Sequence, residues 1–170
     1  TEKIEMLVFS DLTDLKQSNI GEDDVFMLQT GETKVVGNKV FIFFNGDHNH
    51  LRAQIREGVA GVLLNSMLYG ANLQEIVSNA VLLNLPSWYT NGLTAYCGEE
   101  WTAEHDDRLR DLMQSGRYKT FDRLAREHPR FAGHAFWYYI SMHFGRGTIS
   151  NLLYLTRINR SVDNGFCGGN

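Results

Sequence analysis

Few side chains in this 170-residue chain are placed to do covalent or metal chemistry, and the most suggestive is an acid in apolar surroundings. Glu57 lies within Leu51-Arg-Ala-Gln-Ile-Arg-Glu-Gly-Val-Ala-Gly-Val-Leu-Leu64. Leu51, Ile55, Val59, Val62 and Leu63 recur at helical spacing, which sets Glu57 in mid-helix. A carboxylate there can polarise a water for hydrolysis when side chains one turn apart on the same face hold a metal beside it. The flanking positions that would do so are Arg56 and Ala60, a permanent cation and a methyl group. The chemistry is suggested by one residue and denied by its neighbours.

Other candidates are weaker. His48 and His50 flank Asn49 beside Asp47, but a metal there needs another donor, and His-x-His in a polar loop reads as solvated. His105, His128, His134 and His143 fall on separate helical segments without metal spacing. They read as caps, helix-terminal charges or satisfied core polar groups. Cys97 and Cys167 pair only if the fold brings them together; otherwise they are two small hydrophobes. No Gly-x-Ser-x-Gly elbow or phosphate loop is present, so other hydrolase and nucleotide classes find no support.

The elements that must position these residues divide the chain in two. The first 45 residues read as β: Lys3–Phe9, Thr33–Val36 and Lys39–Phe44, with Gly37-Asn38 suited to a tight hairpin and Ser10–Leu15 to a turn or short helix. The last strand is nearly all apolar and is expected to be buried on both faces. From His50 onward the pattern is helical, after capping residues Asp47 and Asn49. Further helices are expected from Asn72 to Leu82, Ser87 to Cys97, Thr102 to a stop at Gly116, Thr120 to Glu127, Ala132 to His143, and Ile149 to Asn159. Gly58 and Gly61 imply close packing of the Glu57 helix. Phe136, Trp137, Tyr138, Tyr139 and Phe144 are too continuous for one helix face, so most are core and some are left for a cleft or a partner surface.

A small β region followed by a helical one argues for an α+β fold in a single domain spanning 1–170. Hydrophobic content of 43%, charged content of 21% and a net charge of −4 are ordinary for a globular domain, with no basic patch for nucleic acid. No apolar run approaches a membrane span. The opening directly into a strand and the ending Gly168-Gly169-Asn170 read as a domain excised from a longer polypeptide.

A second segment gives Glu57 a context. Leu85-Pro-Ser-Trp88-Tyr-Thr-Asn91-Gly92-Leu-Thr-Ala-Tyr96 resembles the gluzincin segment Pro-x-Trp-x-x-Glu-Gly-x-Ala-x-Tyr, and residues 56–60 occupy the place of His-Glu-x-x-His. His134–Gly145, Ile149–Leu153 and Ser161–Phe166 resemble the packing helix and tail that follow. The chain thus resembles the peptidase-MA-like group of gluzincin zinc metallopeptidases, in particular those preceding a β-propeller in envelope proteins of Bacteroidetes-type bacteria. The resemblance implies a thermolysin-like fold in which Arg56, Ala60 and Asn91 replace all three zinc ligands. Glu57 is then a vestige, zinc is expected to be absent, and Trp88, Tyr96, Tyr138 and Tyr139 are candidates for an old substrate cleft.

The function so implied is a catalytically inactive module of the periplasm or outer membrane. It would bind a peptide or protein partner, or position neighbouring domains of a larger envelope protein. The alternative is a metal-dependent hydrolase rebuilt around Glu57 with His48, His50 or another donor. Arg56 has two readings, a cation offsetting Glu57 in place of the metal or an exposed helix residue.

Overall fold

The computed structural model describes residues 3–18, 28–30, 33–70 and 83–159. Five short elements come first: β1 (Glu5–Phe9), α1 (Leu12–Gln17), β2 (Leu28–Thr30), β3 (Thr33–Val36) and β4 (Lys39–Phe43). Helices follow: α2 (His48–Tyr69), α3 (Ser87–Gly98), α4 (Ala103–Gln114), α5 (Phe121–Glu127), α6 (Pro129–Phe144) and α7 (Arg146–Asn159). This is the α+β order that the sequence implied. The helix expected over 72–82, the tail at Ser161–Phe166 and Cys167 lie outside the described residues, as does any pairing of exposed Cys97.

The strands form a four-stranded sheet in the order β1-β4-β3-β2. β1 runs parallel to β4, and the other pairings are antiparallel. Gly37, at φ 59°, supplies the left-handed residue that lets β3 turn back as β4. β4 is apolar on both faces because it is covered on both. Val40 and Ile42 meet Leu51, Ile55 and Val62 of α2, while Phe41 and Phe43 meet Leu12 and Leu15 of α1.

Two devices hold α2 against this strand. A Cβ added to Gly58 would stand 2.1 Å from Val40 Cγ1, so glycine sets the closeness of approach. Gln54 donates through Nε2 to Phe43 O at 2.8 Å and accepts from Phe43 N at 3.1 Å, satisfying both backbone groups in a buried place. Asp47 caps α2 by accepting from the backbone N–H groups of Asn49 and His50.

The larger core lies between helices. Leu64 and Leu68 of α2, Tyr89 and Leu93 of α3, Trp137 of α6, and Leu152 and Leu153 of α7 pack together. α3 and α6 touch backbone to backbone: a Cβ on Gly133 would lie 1.9 Å from Trp88 O and 2.7 Å from Gly92 Cα. Trp137 Nε1 donates to Tyr89 O at 2.9 Å, and the Tyr89 hydroxyl lies 2.8 Å from Thr156 Oγ1. Burial pushes the Tyr89 hydroxyl up to about 12, against the smaller opposing effect of the Thr156 hydrogen bond. These contacts fix α6, which carries Arg130 and His134 of the candidate site.

Candidate functional site

Glu57 points inward from α2 and is only 4% exposed. Its side chain lies against the end of α3, where a Cβ on Gly98 would stand 2.3 Å from Glu57 Cγ. Arg130, in the first turn of α6, reaches between two acids: its Nη2 donates to Glu57 Oε1 and, at 2.9 Å, to Glu99 Oε1. This corrects one reading of Arg56. The cation that meets Glu57 is Arg130, while Arg56, one residue round the helix, is exposed.

Ala60 and Asn91 are half-buried, and neither changes the chemistry of its position. An exposed guanidinium, a methyl and one neutral amide do not make a zinc site, since none of the three is an imidazole, thiolate or carboxylate. The residues at 56, 60 and 91 therefore do not fit the metal that the resemblance would place there.

The four aromatic candidates fall in different surroundings. Trp88 is half-buried at the margin of the core where α3, α5 and α6 meet, edge-on to Phe121 and Phe136 at 5.0 and 5.1 Å between centroids, and lines a pocket with Pro86 and Arg126. Tyr96 is half-buried and donates to Ser141 Oγ at 2.7 Å. Tyr138 stacks on Trp101 at 5.3 Å. Tyr139 is exposed and stacks on His143 at 4.0 Å. His48 and His50 form the first turn of α2 rather than a loop, with His50 edge-on to Phe43 and His48 against Phe44.

The structure brings together a set that spacing did not reveal. Glu99 is the residue after α3, His105 stands in the first turn of α4, and His134 lies on α6. Each offers one ligand atom, and these atoms lie within 4.8 Å of one another. They line a pocket of about 230 Å³ shared with Arg108, Arg130 and Phe131. Trp101 walls the group, 4.9 Å from the His105 ring and 5.1 Å from the His134 ring.

Of the roles open to the four histidines, His105 takes that of a cap: its Nδ1 lies 3.2 Å from Thr102 N and 2.8 Å from Thr102 Oγ1. His134 is none of the three things expected of these histidines, a cap, a helix-terminal charge or a satisfied core group. It is 2% exposed, yet its Nε2 is buried without a hydrogen-bond partner among the described residues. Burial, then the charges of His105 and Arg130, push His134 down to about 4, against a hydrogen bond to the Glu99 backbone. The sequence did hold half of this signal. A histidine three residues into a helix capped by Thr102 turns back toward the segment containing Glu99, but only the α3–α6 contact brings in His134.

In comparisons with family models, curated proteins and solved structures, nothing matches this chain. No helix among the described residues is long and apolar enough to cross a membrane.

Proposed function

We propose that this chain is a non-catalytic module of peptidase-like build that binds an extended segment of a peptide or partner protein along β1. One observation carries the reading. Glu57, the carboxylate that would serve hydrolysis, is buried against Gly98 and ion-paired to Arg130, with no metal-holding residues at 56, 60 and 91. A general base engaged by a guanidinium is poorly placed to take a proton from water.

The binding mode is supported by β1. Glu5 N donates to Asn38 O and Phe44 N donates to Phe9 O, so the odd-numbered residues pair with β4. The alternation turns the N–H and C=O groups of Met6 and Val8 to the outer edge, where no other strand pairs among the described residues. Met6, Leu7 and Val8 are 40%, 38% and 60% exposed, an apolar surface of the kind that accepts an added strand. Placement in a bacterial envelope protein belongs to the same proposal and rests on the family resemblance.

The test is selection from a displayed library of random peptides. Wild type enriches extended apolar sequences, and Val8→Pro, which removes an outward N–H without touching a β1–β4 bond, loses them. A Val8→Lys variant covers the case in which proline disturbs the strand. Enrichment that both variants leave intact would overturn the reading.

A second reading, a hydrolase with a rebuilt site, is favoured by Arg130 joining Glu57 to the Glu99–His105–His134 group. Chelator-sensitive cleavage lost in both Glu57→Gln and His105→Ala would select it.

A further inference from the structure

We propose that Glu99, His105 and His134 form a binding site for one divalent transition-metal ion of the zinc type. The site is distinct from the positions 56, 60 and 91. It does not rest on peptide binding along β1.

Four features of the group point to a metal. Its donors are two imidazoles and a carboxylate, a set suited to zinc and its neighbours and shared by open three-ligand sites. They come from the end of α3, the start of α4 and the second turn of α6, so their relative positions are set by separate elements packed on one core. The closeness of their ligand atoms, within 4.8 Å, is near what a metal requires. Donors about 2.0–2.1 Å from a tetrahedral ion stand about 3.3 Å apart, so side-chain shifts of about 1–1.5 Å complete the shell.

The fourth feature is the orphaned nitrogen of His134. A buried acceptor left without a partner is costly, and a cation beside it removes that cost. In the tautomer protonated on Nδ1, Nε2 carries the lone pair, the arrangement typical of a ligating histidine. His105 can match it. When its Nδ1–H donates to Thr102 Oγ1, 2.8 Å away, its Nε2 is the free donor, and ion binding selects that tautomer over the one accepting from Thr102 N.

The surrounding charge is compatible with a cation. Arg130 bridges Glu57 and Glu99, so two acids stand against that guanidinium, and Arg108 is drawn over the Phe131 ring at 4.4 Å from its centroid. The pocket supplies the path of entry and room for a water as the remaining ligand.

The test is titration of Co²⁺ into the chelator-stripped full chain, read by visible d–d absorption, with circular dichroism confirming that each variant is folded. The expected result is a band saturating at one Co²⁺ per chain and displaced by Zn²⁺. Affinity falls at least about 100-fold in His134→Ala, His105→Ala and Glu99→Gln, and is unchanged in the His48→Ala, His50→Ala double variant. His105 and Glu99 are only partly buried, so their variants serve if His134→Ala fails to fold. No band at stoichiometric Co²⁺, affinity that persists in both His105→Ala and Glu99→Gln, or loss that follows His48 and His50 would overturn the proposal. Protein that binds only phosphate in this pocket, through Arg108 and Arg130, would overturn it equally.

Discussion

Replacing Gly133 by alanine tests whether the α3–α6 contact positions the site. The added methyl would stand 1.9 Å from Trp88 O, 2.9 Å from Trp88 C and 2.7 Å from Gly92 Cα, all backbone atoms that no rotamer change can move aside. The helices must part by roughly 1.5 Å to restore ordinary contact, and overpacking of this kind costs about 1–3 kcal/mol. Parting them also strains the buried bond from Trp137 Nε1 to Tyr89 O, whose loss costs about 1–3 kcal/mol. Alanine returns about 1 kcal/mol of helix propensity. The net expectation is destabilisation of about 3 kcal/mol, read as a lower urea midpoint at unchanged slope. Gly147→Ala is the internal control: a Cβ there meets nothing within 4 Å, so it should be neutral or stabilising by up to about 1 kcal/mol. A Gly133→Ala variant within about 0.5 kcal/mol of wild type would refute the reasoning.

Other substitutions probe single interactions. Arg130→Met leaves Glu57 without its guanidinium in a buried place and should cost about 2–3 kcal/mol by urea unfolding; adding Glu57→Leu should recover most of the loss. Gln54→Ala strands the Phe43 N–H and C=O and should cost about 2–4 kcal/mol, with loss of amide-exchange protection along β4. Alkaline titration tests Tyr89. Its folded value is raised, so the unfolded chain loses that proton first, and stability is intact below pH 10 and falls as pH rises towards about 12. The two-unit gap corresponds to about 2–3 kcal/mol, and Tyr89→Phe should flatten that part of the pH profile in calorimetry.

Local patterning was enough to place most of the described elements. Asp47 announced the start of α2 and Thr102 that of α4, because capping is written in neighbouring residues. The apolar run Val40–Phe43 announced a strand covered on both faces for the same reason. The partner of Glu57 was not legible. Adjacency in sequence pointed to Arg56, but helix geometry turns that residue outward and brings Arg130 in from α6. The meeting of Glu99, His105 and His134 depends on Gly92 and Gly133 letting two helices touch. That is a tertiary fact with no spacing rule of its own.

The proposal that Glu57 does not serve hydrolysis is tested by a cleavage assay. The purified chain is incubated with unfolded casein in the presence of Zn²⁺, with and without chelator, beside Glu57→Gln, and new amino termini are counted. With Glu57 held by Arg130, the expected result is no chelator-sensitive release and no difference between wild type and Glu57→Gln. Turnover that chelator stops and Glu57→Gln abolishes would contradict it.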